Sequence, residues 1–122
     1  MLNQPRPQLE PVLLVFFYRT SSNKEPVRDW LKAQSLEMRR TIGEDIKTVQ
    51  FAYPIGMPLV RKLEPDLWEV RSHIQLGIAR TIFTVQNNQM ILLHAFIKKS
   101  QKTPKSDLEL ARKRLKELLE NP

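Results

Sequence analysis

A chain of 122 residues with 41% hydrophobic content is long enough for one domain around one core. Twenty Lys and Arg against thirteen Asp and Glu leave a charge of +7, which points to a polyanionic partner (RNA, DNA, an anionic membrane or an acidic protein), the other reading being a basic surface that only keeps the chain soluble. The absence of cysteine excludes disulfides and thiolate chemistry, and two histidines are too few for a usual zinc site, so neither a metal nor a cofactor is expected.

Residues 1–11 hold three prolines and no apolar signal-peptide core, and read as a loose arm ahead of a single domain over 12–120. The run Val12 to Tyr18 is apolar without alternation, which predicts a strand covered on both faces. It is far shorter than the roughly 20 residues that cross a bilayer, so a cytoplasmic protein is expected. Pro26 suits a first helical turn, and Val27, Trp30 and Leu31 give a short helix to about Ala33. Ser35 can cap a second helix, whose stripe is Met38, Ile42, Ile46, Val49 and Tyr53. Pro54, Gly56 and Pro58 end it. Strands are then predicted over Leu59–Leu63, Leu67–Leu76, Ile78–Gln86 and Met90–Ile97, with Asn87-Asn88 as a turn. Thr103 reads as an N-cap before the first-turn Pro104, and Leu108, Ala111, Leu115 and Leu118 stripe the last helix. The order predicts an α+β domain: a curled, mainly antiparallel sheet of four to five strands, two N-terminal helices and one C-terminal helix.

The polar side of the sheet concentrates charge. Alternation puts Trp68, Val70, Ile74 and Leu76 on one face and Glu69, Arg71, His73 and Gln75 on the other. With a loop centred on Gln75-Leu76, Arg71 faces Arg80, Trp68 faces Phe83 and Val70 faces Thr81. Like charges directly opposite destabilise a sheet, so either this register is wrong or the arginines serve a ligand that wants two cations. A phosphate does, because guanidinium forks match its oxygens. Glu69, diagonal to Arg80, can pair with it when no ligand is present. In the last strand, alternation groups Ile91, Leu93, Ala95 and Ile97 against Leu92, His94, Phe96 and Lys98. Lys98, Lys99, Lys102 and Lys105 cluster around Phe96, a pattern that holds an unpaired base and its backbone.

Cleaving RNA without a metal needs a base for the 2′-hydroxyl, an acid for the leaving 5′-oxygen and positive charge at the phosphate. Glu69 or His94 can be the base, Lys98 or Lys99 the acid, and Arg71 with Arg80 the clamp. Blander readings stand beside these: His94 as a satisfied core histidine, Phe96 as plain core, the lysines as a solvated loop. Arg61 and Lys62 are further RNA-contact candidates, or part of a surface charge cluster with Glu64 and Asp66.

The run Leu63-Glu-Pro-Asp-Leu-Trp-Glu-Val-Arg71, then Ala79-Arg80, then Leu92-Leu-His-Ala-Phe-Ile-Lys-Lys-Ser-Gln-Lys-Thr-Pro104, resembles the RelE/HigB toxin superfamily, nearest its phage-derived branch. The similarity covers about Leu13 to Leu119. It implies a RelE-like fold and a type II toxin: a ribosome-dependent mRNA endonuclease that inhibits translation. A small cognate antitoxin, usually with a helix-turn-helix domain, would neutralise it. On this resemblance Arg71, Arg80, Lys98 and Lys99 fall on the family's basic active-site positions, and Glu69 and His94 on motif positions. Ser100 is a mild departure. The tyrosine that many such toxins carry near the final helix is missing, since none follows Tyr53. The competing expectation is a non-catalytic basic module of the same fold that binds RNA, DNA or an acidic protein.

Overall fold

The computed structural model describes residues 10–98 and 102–121. Its elements run β1 (Leu14–Phe17), α1 (Pro26–Lys32), α2 (Leu36–Ala52), β2 (Val60–Glu64), β3 (Leu67–Ile74), β4 (Gly77–Gln86), β5 (Gln89–Lys98) and α3 (Lys105–Glu120). Local chemistry sets the boundaries. Pro26 opens α1, and Ser35 Oγ accepts from Met38 N at 3.2 Å to start α2. Asn87 and Asn88 turn the β4–β5 hairpin at φ 50 and 61, the left-handed region that asparagine tolerates. Gly77 closes the β3–β4 hairpin at φ 137, where a side chain would be strained.

The five strands form one open sheet in the order β1-β5-β4-β3-β2. β1 is parallel to β5 and the other three pairings are antiparallel, so the sheet is mixed. The β3–β4 register matches expectation: Trp68 opposite Phe83, Val70 opposite Thr81, Arg71 opposite Arg80. Trp68 and Phe83 stack at 5.9 Å between ring centroids.

Each face of the sheet has its own core. Val27 of α1 and Ile42, Ile46 and Val49 of α2 pack on Val70, Ala79, Phe83, Leu92 and Ala95. On the reverse, Ala111, Leu108, Leu115 and Leu118 of α3 pack on Leu67, Ile82, Ile91 and Leu93. Burying each such large side chain stabilises the fold by about 1.5–3 kcal/mol.

Two expectations need correction. β1 is not covered on both faces: Leu14 and Phe16 are exposed while Val15 and Phe17 pack inward, because β1 is an edge strand that α3 does not reach across. The face assignment in β5 also changes midway. The β4–β5 ladder shifts between Ile82 and Phe83, so that Ile82 meets His94 but Phe83 meets Leu92. This bulge sends Ile91 and Leu93 to the α3 side with Phe96, and Leu92, Ala95 and Ile97 to the other.

Candidate functional site

Directly opposed residues on neighbouring strands share a face, so the ladders place the charged side chains in rows beneath and beside α3. One row is Arg61, Glu69, Ile82, His94; the next is Arg71, Arg80, Phe96; the last is His73, Ile78, Lys98. Arg71, Arg80 and Lys98 therefore belong to one surface, as does Arg61. Lys62 does not. Its partner is Trp68, and its ammonium lies 5.9 Å from that ring on the opposite face.

Glu69 is the centre. It is 0% exposed, and so is Arg80; Arg71 is 7% exposed. Glu69 Oε1 lies 3.3 Å from Arg80 Nη1 and 3.9 Å from Arg71 Nε. Its other oxygen, Oε2, accepts a hydrogen bond from Thr103 Oγ1 at 2.8 Å. Arg80 Nη1 also reaches Thr103 Oγ1 at 3.4 Å. Burial pushes the Arg80 guanidinium below its ordinary value; Glu69 opposes that shift, and the Arg71 and Arg61 cations add to it. Among the described residues, the guanidinium groups of Arg61, Arg71 and Arg80 share this face with the carboxylate of Glu69, a charge balance that suits an anion.

Thr103 does not cap α3. The cap residue is Pro104, which offers no side-chain bond, and the Thr103 hydroxyl is spent on Glu69 instead. A threonine before a proline matched the capping pattern, and the chain uses it one residue too early for that purpose.

His94 Nε2 is 2.6 Å from Asp107 Oδ1 in the first turn of α3, and its ring stacks on Phe96 at 5.4 Å. An ionised carboxylate only accepts, so Nε2 is the donor in this pair, and in a neutral imidazole the lone pair then falls on Nδ1. Phe96 is half-buried between the α3 core and the cationic rim. Glu69 and His94 lie in one row with Ile82 between them, about 10 Å apart at the backbone, so they cannot act on the same proton.

Lys98 is exposed at the end of β5. Lys102 is exposed, and Lys105 pairs loosely with Glu109 at 3.9 Å. Lys99 lies outside the described residues. Asp107 and the Thr103 hydroxyl were not expected as site residues. An acidic residue in a first helical turn ordinarily reads as a partner of the helix dipole, which gives no hint of a histidine across the fold. Among the described residues no three His, Asp or Glu side chains gather as metal ligands.

Two comparisons with known proteins bear on this surface. The family model for phage-derived protein Gp49-like (DUF891) matches residues 29–116, from α1 into α3, and so spans every row described above. No curated protein matches the chain.

Proposed function

The chain belongs to the Gp49-like family of phage-derived proteins, and on that premise we propose that it is the toxin of a type II toxin–antitoxin pair. In this reading it acts in the cytoplasm as an endoribonuclease, cutting mRNA on the ribosome and so stopping translation. The family's association with toxins of RelE type supports the reading. The observation that carries it is the row of Arg71 and Arg80 on the α3 face, with the single carboxylate of Glu69 between them. Like charges directly opposite cost stability, and a phosphodiester is the ligand that gains most from them.

The roles follow from exposure. Lys98 is the exposed cation at the rim and Arg71, only 7% exposed, lies just beneath it; together they hold the scissile phosphate. Arg80, beneath Thr103, is a positioning residue: its fixed charge supports Arg71 from below and its ion pair fixes Glu69. Buried Glu69 is a counter-ion rather than a base. His94, oriented by Asp107, takes the 2′-hydroxyl proton on Nδ1. The 2′-oxygen then bonds to phosphorus, the bond from phosphorus to the 5′-oxygen breaks, and Lys98 or Lys99 gives that oxygen its proton. The products end in a 2′,3′-cyclic phosphate and a 5′-hydroxyl. Phe96 stacks an unpaired base beside the cut, and Arg61, Lys102 and Lys105 track the RNA backbone. A small antitoxin with an acidic segment, encoded beside this chain, closes the cationic rim; no membrane, metal or cofactor is required.

Expression of the chain alone should arrest growth, and translated mRNA should carry cyclic-phosphate ends. Lys98→Ala, at an exposed position, and Arg71→Lys, which keeps the charge but loses the fork, should each relieve the arrest with the fold intact. A harmless wild-type chain that leaves mRNA whole on translating ribosomes would overturn the reading. One observation favours a second reading. Arg80 and Glu69 are fully buried and His94 is held by α3, which suits a binding module that never cleaves. Such a module loses RNA affinity steeply with salt yet releases no cyclic product.

A further inference from the structure

Among the described residues, the outer edge of β3 is open over its last three residues. β2 stops pairing at Val60 opposite Val70, and the last backbone bond across this edge runs from Arg71 N to Leu59 O at 2.8 Å. β3 continues three residues beyond, to Ile74. Backbone groups alternate in direction along a strand, so the N–H and C=O of His73 point the same way as those of Arg71, toward the open edge. Thr41 and Asp45, one turn apart on α2, stand across from it. Between them lies a cleft of about 250 Å³ lined by Thr41, Asp45, Pro58, Leu59, Arg71 and His73. A second cleft of about 300 Å³ continues from Thr41 and His73 toward Ser35 and Gln75.

The polar groups in this cleft are specific. Asp45 is half-buried and, among the described residues, makes no hydrogen bond or ion pair. Pro58 and Leu59 provide an apolar wall. Arg71 is shared with the cationic face, so a nucleotide whose phosphate sits on Arg71 has its base within reach of Asp45. The first cleft is smaller than the pockets that take drug-sized ligands, and suits a single ring system. A carboxylate accepts and never donates. Guanine alone among the four bases presents two adjacent donors, N1–H and N2–H₂, that match two carboxylate oxygens, and its O6 and N7 remain as acceptors for the His73 backbone N–H or imidazole.

We propose that the cleft between α2 and the open edge of β3 is a guanine subsite, reading the base next to the phosphate held by Arg71. This rests on the nuclease reading for its biological meaning, while the binding event itself can be measured alone. The test titrates the full chain with the 3′-monophosphates of guanosine, adenosine, cytidine and uridine, followed by amide NMR. Guanosine monophosphate should shift the Thr41, Asp45 and His73 signals and bind about tenfold or more tightly than the other three. Asp45→Asn should remove the preference, and Thr41→Phe, which fills the cleft, should remove binding there. Equal affinity for all four nucleotides, shifts confined to other residues, or a guanosine preference that survives Asp45→Asn would each overturn the proposal. Cut sites mapped on translated mRNA separate the two claims. A wild-type chain that cuts without regard to guanosine sinks the subsite and leaves the nuclease standing. A chain that cuts nothing, yet docks guanosine monophosphate against Asp45, sinks the nuclease and leaves the subsite.

Discussion

Strands β3, β4 and β5 show α1 and α2 a mostly apolar surface built from Val70, Ala79, Phe83, Leu92 and Ala95, with the small hydroxyl residues Ser72 and Thr81 buried among them. The same strands show α3 a divided one: Leu67, Ile91 and Leu93 at one end, Arg71 and Arg80 at the other, and Glu69, Ile82 and His94 in the row between. Each buried ion costs several kcal/mol of desolvation, recovered only where partners are supplied. On the α3 side every partner comes from a different segment: Glu69 from β3, Arg80 from β4, Thr103 from the approach to α3, Asp107 from its first turn. The α1–α2 face therefore fixes the fold by area, whereas the α3 face holds charges that area alone would not select. Polar ties also fasten α3 along its length. Arg112 forks onto Glu64 at 2.6 to 3.0 Å, and Arg114 donates to the Leu93 carbonyl at 2.7 Å.

The largest expected effect breaks the charged face. Glu69→Ala leaves Arg80 and Arg71 without their buried counter-ion and should cost about 3–5 kcal/mol in chemical denaturation. The sharper form is the double change Glu69→Leu with Arg80→Met, which replaces the ion pair by apolar groups of similar volume. It still leaves Arg71 without the Glu69 charge, so it should recover part of that loss while abolishing growth arrest. A double variant as unstable as Glu69→Ala would mean that the ion pair serves the fold, and that the two faces do not differ in the way described.

Much of this was legible in the chain, for physical reasons that can be named. The β3–β4 register followed from a two-residue loop and a sensible Trp68–Phe83 pair, and it alone brought Arg71 against Arg80. The Ser35 cap and the Ile42, Ile46, Val49 stripe were local signals that tertiary contacts did not override. What failed was non-local. The β5 bulge adds one residue to one strand, and nothing in an apolar run from Met90 to Leu93 marks where. An edge strand and a covered strand read alike, so the exposure of Leu14 and Phe16 could not be foreseen. Thr103 carried a capping signal whose hydroxyl had a better partner in Glu69, 34 residues away. The rows were partly visible; their burial under Thr103, and the Asp107–His94 contact, were not.

A middle-sized effect tests that bridge. Thr103→Val keeps the shape and removes the hydroxyl shared by Glu69 and Arg80. It should destabilise the fold by about 1–3 kcal/mol, the cost of stripping a partner from a buried charged group. Thr103→Ser should stay near the parent. If Thr103→Val unfolds at the parent's midpoint, the hydroxyl is incidental and the charged end of the face is satisfied without it.

The smallest effect lies at the far end of α3. There the Tyr18 hydroxyl donates to Glu117, and Arg114 sits 5.7 Å from the Tyr18 ring. Burial, and then the hydrogen bond and negative charge of Glu117, push the Tyr18 phenol above its ordinary value; Arg114 pulls the other way. The sign follows from linkage: the folded state holds this proton more tightly than the unfolded chain does. Its stabilisation is therefore complete below the unfolded value of about 10, and is lost as pH rises through the higher folded value. Denaturation midpoints taken from about pH 9 into the alkaline range above about 10 should fall for the parent. Tyr18→Phe should lack that component of the fall, and should start from a slightly lower neutral-pH midpoint because the bond to Glu117 is gone. An equal alkaline fall in both proteins would show that Tyr18 does not tie this end of α3. The helix would then be held to the sheet by its apolar stripe and by the polar bridges nearer its start.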